Sequence, residues 1–477
     1  MKKIKYLGLA CLSLLTVAFT ACNKEDEYFE SDAQNSAITI NKIFLEDVES
    51  SVQDREVTFA RLGQTIRVEG SGLYGVKKVY VNGYETYFNR ALVTDNNMIF
   101  QLNSKTPVSE AEESVRNKIR FVKDGAETTY PFTIRAASPS VSRVDNTLPQ
   151  AGEKVTVYGA NLHETLKATL PGGVEVTDIT TDPDGEWYSF TMPAGVTESG
   201  SITSEGANGT AVTPAFFNEN GAYILDFDGK GTHGFWSWKE TGSMTDDEHD
   251  VVMDPVAGSN RGKCAQLVPQ RLLDSADGGI LSGKPRVAEW WTGGNDDTAD
   301  DWSRMYDIIP AETPVSEVAL QFDVYCPEIW SGTGYVQISM INNYNISGIG
   351  TDDDGTNNLV GFWVPWIDGS ETKPFSTEGW QTITIPLSQI NKYATLIADD
   401  EMPTFRNVVE DRNAGKYRNF GIGFVNNDFT LNGVEVVSGL FNKKIYLDNW
   451  RIVPCKSIIV SDYPEEEEEE GDETVAE

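Results

Sequence analysis

The chain has 477 residues, with 38 Lys and Arg against 73 Asp and Glu, for a formal net charge of −35. A 39% hydrophobic share supplies enough apolar material for packed cores and excludes wholesale disorder. At roughly 100–200 residues per domain, two to four domains are expected. The acid excess argues against nucleic acid and against a basic membrane-surface patch, because polyanions are repelled. A neutral polymer feels little of this field. His163, His233 and His249 are too scattered for a His-based metal or catalytic centre.

The first segment, 1–21, reads as an address. Lys2, Lys3 and Lys5 precede an apolar run from Tyr6 to Ala18 that is too short to span a bilayer. Phe19-Thr20-Ala21-Cys22 follows, with small residues directly before a cysteine. This resembles a bacterial lipobox, with Phe19 where an aliphatic residue is usual; an ordinary secretory signal with a chance cysteine is the alternative. The resemblance implies cleavage before Cys22 and its acylation, each buried methylene adding about 0.8 kcal/mol of anchoring. Asn23-Lys24-Glu25-Asp26-Glu27, within an acidic linker 22–37, resembles the surface-export signal of Bacteroidota lipoproteins. That implies the outer face of the outer membrane. Loss of three lysines takes the net charge from −35 to −38.

An internal repeat organises the next part. Gly63-Gln64-Thr65-Ile66-Arg67-Val68-Glu69-Gly70-Ser71-Gly72-Leu73 aligns with Gly152-Glu153-Lys154-Val155-Thr156-Val157-Tyr158-Gly159-Ala160-Asn161-Leu162. Ile66 and Val68 match Val155 and Val157 as alternating strand positions, and Gly70 and Gly159 match as the turn after the strand. Short strands with glycine turns in units of this size fit immunoglobulin-like sandwiches. The run resembles the TIG/IPT family over 38–136 and 137–218, which implies two such domains. They read as spacers, with a stiffened joint at Pro139.

From 219 to 455 the composition shifts. Of the eleven Trp, ten lie here and only Trp187 lies earlier, so this region carries the aromatic surface, if any does. Strand-like runs recur at 222–227, 318–325, 335–340, 360–364, 380–385, 420–425 and 444–452, and no helix of useful length stands out. The predicted fold is all-β: tandem immunoglobulin-like sandwiches followed by a larger jelly-roll sandwich. The tail 456–477 contains Glu465 to Glu470 and is expected to be disordered.

The opening Leu225-Asp226-Phe227-Asp228-Gly229 and the closing Tyr446-Leu447-Asp448-Asn449-Trp450 look like the end strands of jelly-roll carbohydrate-binding modules. The order of signal, cysteine, acidic start, tandem TIG-like domains and C-terminal sandwich resembles the surface glycan-binding protein B family of Bacteroidota. That resemblance implies a non-catalytic lipoprotein that holds a glycan for neighbouring surface glycanases and a porter complex. It carries over no site residue by motif.

Sugar rings present C–H faces that stack on aromatic rings, so exposed Trp in polar contexts are the candidates. Trp290 and Trp291 sit between Glu289 and Thr292-Gly293-Gly294, and Trp330 lies in a Gly/Ser-rich loop. Adjacent strand residues face opposite ways, so as few as one of Trp290 and Trp291 is exposed. In 360–364 the set Val360, Phe362 and Val364 reads as core, which turns Trp363 outward; Trp366 is open to either reading. Tyr335, Gln337 and Ser339 form a polar face with one aromatic. Trp380 and Trp450 read as core. Each candidate has an alternative reading as ordinary core packing.

No cofactor is required by this reading. Asp226, Asp228 and Asp448 sit where jelly-roll modules sometimes hold structural calcium, and oxygen ligands suit that ion. Turn-capping or solvated aspartates are the alternative. Cys264, Cys326 and Cys455 lack a zinc or disulfide spacing and read as buried free thiols, or one bridge plus one thiol. The functional expectation is capture of a neutral polysaccharide, a β-glucan or other hemicellulose, without catalysis. The alternatives are a protein-binding adhesin and a jelly-roll glycoside hydrolase or lyase, the last needing two carboxylates about 5–10 Å apart.

Overall fold

In the computed structural model the described residues are 36–46, 54–237, 249–267, 286–292, 300–341, 359–414, 419–426, 428–439, 441 and 443–463. Cys22, the signal segment and the glutamate run lie outside them. The chain forms two compact units. Among the described residues, the first reaches to Ser138 and takes in Ala207–Gly209 and Ser461–Tyr463; the second comprises those of Pro139–Gly206 and Thr210–Val460.

The first unit is a small β-sandwich. A three-stranded sheet, with Thr65–Ser71 between Thr39–Leu45 and Asn97–Gln101, packs apolar positions against a four-stranded sheet built on Lys78–Val81 and Lys118–Lys123. Ile66, Val68, Val79, Val81, Ile119 and Phe121 are fully buried. Ser461–Tyr463 belongs to this unit. Tyr463 stacks on Phe59 at 5.1 Å, and Arg61 donates to both carboxylate oxygens of Asp462. The expected disordered tail therefore begins with an ordered stretch, fixed by one ring and one ion pair.

The second copy of the repeat shows why its glycine recurs. Gly70 and Gly159 lie within strands Thr65–Ser71 and Lys154–Ala160, not in the turns after them. Each faces a bulge in the neighbouring strand of its sheet, between Ile40 and Lys42 or between Val141 and Arg143. The bulge pushes the carbonyl of Thr39 or Ser140 onto the glycine, where a Cβ would collide.

The C-terminal domain is a two-sheet antiparallel sandwich. One sheet runs Val251–Met253, Lys263–Leu267, Ile445–Pro454, Val318–Tyr325, Gln381–Pro386, with Tyr223–Leu225 also paired to Ile445–Pro454. The other runs His233–Ser237, Arg286–Thr292, Gly421–Val425, Tyr335–Ser339, Val360–Trp363. Between them lies a core that includes Phe322, Trp450, Trp290, Ile338 and Phe424. Phe322 and Trp450 stack at 4.1 Å.

Two short helices, Asn391–Ala398 and Phe405–Ala414, depart from the all-strand expectation for this region. In the second, Phe405, Val408, Val409 and Arg412 are buried, spaced as one helical face. Arg412 is held by Asp300 at 3.3 Å and lies over the Trp302 ring at 3.8 Å; burial lowers its pKa to about 10.

The second immunoglobulin-like domain and the C-terminal domain share a core. Ala319 and Val453 pack with Val144, Val155, Tyr188 and Phe217. Strand Val318–Tyr325 is therefore buried on both faces, with Leu320, Phe322 and Val324 turned inward and Ala319, Gln321 and Asp323 turned to the junction. There Thr147 donates to Gln321 at 3.1 Å, and Arg451 donates to Thr147 at 2.8 Å. Cys264, Cys326 and Cys455 are free thiols, and burial pushes that of Cys326 up to about 11.

Candidate functional site

The outer face of the 233–237, 286–292, 421–425, 335–339, 360–363 sheet is built row by row from strand register. One row crosses all five strands: Trp236, Glu289, Gly423, Gln337, Phe362. It spans four interstrand spacings, about 19 Å at roughly 4.8 Å each. The next row on that face is Gly234, Trp291, Gly421, Ser339, Val360. The central strand thus contributes two glycines, and the strands beside it contribute side chains. The result is a trough in side-chain length: bare backbone at its centre, buried polar side chains at Glu289, Gln337 and Ser339 beside it, and larger aromatics at its rims.

The rims are Trp236 and Trp291 on one side and Phe362 on the other, all half-buried. Phe362 packs against Tyr335 at 5.9 Å and Phe429 at 6.1 Å, so this rim is a fixed cluster. Between the rims, Gln337 is 0% exposed, and neither its Nε2 nor its Oε1 has a hydrogen-bond partner.

The Trp291 end is tied down. Thr292 donates to Asp300 at 3.0 Å and accepts from the Phe420 N–H at 2.9 Å. Next to it a cleft of about 340 Å³ is lined by Tyr223, Lys230, Thr232, Thr292, Asp300 and Arg304, among others. Lys230 lies over the Tyr223 ring at 4.2 Å, and Arg304 donates to the Tyr223 carbonyl.

Most of the sequence-derived aromatics are not on this face. Trp290 is 1% exposed, and its row mates Phe235 and Ile422 point into the core. Trp330 is enclosed by Trp363, Phe424 and Phe441 and donates to the Thr333 carbonyl at 2.7 Å. Trp366 is also buried and donates to the Gly334 carbonyl at 3.1 Å. Tyr335 does lie on the outer face but is covered by Phe429 at 4.7 Å. Trp363 reverses its expected direction. It pairs with Val336, which faces the core, and meets Phe322 edge-on at 5.2 Å, so its strand neighbour Phe362 takes the outer face. The alternation was legible, but which parity faced inward was not.

Of the Trp candidates, Trp291 alone remains a rim residue. Trp236 and Phe362 were missed as site residues. The signal for Trp236 lay in Gly234-Phe235-Trp236, where one side of the strand pairs a glycine with an indole.

Two of the three aspartates are engaged by backbone N–H groups. Asp226 accepts from the backbone N–H groups of Asp228 and Lys230 at 2.9 and 2.8 Å, and Asp228 accepts from the Lys263 N–H at 3.0 Å. These are turn-capping roles. Asp448 is buried, and burial, then the neighbouring Asp323 charge, and more weakly that of Asp228, raise its carboxyl well above the usual carboxylate range. Asp145 is also pushed up by burial. Among the described residues no group of three or more His, Cys, Asp or Glu side chains is placed to hold a metal ion.

Comparison with known proteins follows from this geometry. Residues 217–454 match the family model of the surface glycan-binding protein B xyloglucan-binding domain. An IPT/TIG domain-containing protein of Bacteroides ovatus is 25% identical over 402 residues, covering 82% of this chain and 69% of that relative. A crystal structure of a surface glycan-binding protein from Prevotella bryantii superposes with a TM-score of 0.60 at 21% identity, covering 89% of this chain and 100% of that one. The shared fold is thus nearly all-β.

Proposed function

We propose a function from one premise: residues 217–454 of this chain belong to the surface glycan-binding protein B family. The chain is a non-catalytic cell-surface protein that holds a neutral polysaccharide in the glycine-floored trough. The observation that carries this reading is the row Trp236, Glu289, Gly423, Gln337, Phe362. Partly exposed aromatic rims offer faces for sugar C–H groups, and the polar side chains between them are of the kind that meets hydroxyls. The net charge of −35 favours an uncharged polymer. Xyloglucan, the glycan in the family's description, is the first ligand to test, with mixed-linkage glucan and mannan beside it.

In this reading Cys22 carries the lipid anchor on the outer membrane, the immunoglobulin-like domains lift the trough from the surface, and a porter complex and glycanases receive the glycan. Single-site affinity is modest, because an aromatic rim excludes little water, and a dense array of anchored copies compensates by avidity.

Affinity electrophoresis of residues 23–477 through gels containing each polysaccharide tests this, with Trp236→Ala, Trp291→Ala and Phe362→Ala alongside. Retardation by one glycan, lost in these variants, with glycan length unchanged after incubation, supports it. No retardation by any glycan points to the adhesin, and shortened glycan points to an enzyme.

A further inference from the structure

The centre of the trough holds an amide that the protein leaves unsatisfied. Gln337 is 0% exposed, yet its two N–H donors and its carbonyl acceptor find no partner among the described residues. Buried polar side chains are normally paired, and an unpaired one calls for an explanation. Register explains why no neighbour serves. The residues directly opposite Gln337 are Gly423 on one side and Phe362 on the other, and neither has a hydrogen-bonding side chain. Next along its own strand on the same face stand Tyr335, packed against Phe429, and Ser339.

We infer that Gln337 is the specificity-determining residue of the trough, and that its amide is completed by two adjacent hydroxyl groups on one ring of a bound sugar. This deepens, and rests on, the reading of the trough as a glycan site.

The chemistry narrows the ligand. An amide presents a donor and an acceptor side by side, so its complement must accept at one atom and donate at the next. A vicinal pair of sugar hydroxyls does both. A carboxylate or phosphate only accepts, and would satisfy Nε2 while leaving the buried Oε1 unpaired. The amide therefore selects the neutral polyhydroxyl class over uronic-acid polymers, in the same sense as the protein's charge. Trp236, Trp291 and Phe362, at or beside the ends of the two rows, are partly exposed, unlike the residues between them.

Isothermal titration of the full mature chain with xyloglucan and cello-oligosaccharides tests this, using Gln337→Leu and Trp291→Ala. Leucine has similar volume and removes the orphaned polar atoms. The expected result is an affinity about tenfold weaker in Gln337→Leu, the loss of a hydrogen-bonded pair, with the ligand-free thermal midpoint unchanged or raised. Binding kept in Gln337→Leu but lost in Trp291→Ala overturns the role of Gln337 and leaves the trough reading standing. A lowered midpoint together with weaker binding makes the role structural and also overturns it. No binding by the unaltered chain sinks the glycan reading, and this inference with it.

Discussion

The Trp291 ring covers the Cα of Gly234, its register partner on the neighbouring strand. A methyl group at 234 would collide with the indole ring, so the glycine is what lets the ring sit there. A supported ring is a better stacking surface than a free one, because less side-chain freedom is lost on binding.

Gly234→Ala is therefore expected to lift Trp291 and weaken glycan retention roughly three- to tenfold, matching about 0.5–1.5 kcal/mol for one stacked aromatic. Thermal stability should change little, since the half-buried ring can rotate outward. Affinity electrophoresis beside Trp291→Ala checks this; unchanged retention in Gly234→Ala would show that the ring's support is irrelevant.

The buried Trp should behave oppositely. Trp330 is 0% exposed and packed among Trp363, Phe424 and Phe441. Trp330→Ala is expected to cost about 3–5 kcal/mol of stability through the cavity it leaves. Urea unfolding measures this, and a loss below 1 kcal/mol in the same order-of-magnitude terms would return Trp330 to the surface.

At the junction, Arg261 donates to Asp323 at 2.9 Å and to Glu153 at 3.3 Å, and Arg261 and Asp323 are 4% and 0% exposed. Removing one partner strands a buried charge. Arg261→Ala is expected to cost about 3–5 kcal/mol. In calorimetry it should split a joint transition of the second immunoglobulin-like domain and the C-terminal domain into two. A single transition at an unchanged midpoint would contradict the shared-body description.

Asp448 sets a pH dependence. Asp323, Arg261 and Asp228 face it, and burial raises its folded pKa well above the usual range. The unfolded carboxyl releases its proton near its ordinary pKa of about 3.9, while the folded one keeps it. Stability contributed by this group therefore falls as pH rises from that value to the raised folded pKa. Asp448→Asn is expected to unfold at a higher temperature than the unaltered chain at pH 8, with the difference closing toward pH 4. A difference that widens toward pH 4 reverses the sign and rejects the assignment.

The residues by themselves determined the class of fold and its order. The repeat of alternating apolar positions around Ile66 and Val155 implies strands wherever it occurs, because a period of two can bury only one face of a sheet. The tryptophan-rich second half marked the domain where an aromatic site would be sought. Tertiary structure decided which aromatics face the solvent. Trp363 and Phe362 are adjacent, both apolar and both plausible on either face. Their sides were chosen by strand partners, Val336 and Gln337, far off in sequence. The same holds for the trough itself. Trp236, Glu289, Gly423, Gln337 and Phe362 come from five separate segments, and only hydrogen-bond register between strands brings them into one row. Alternation is a local property of a chain, whereas the inward side is fixed by what packs against it.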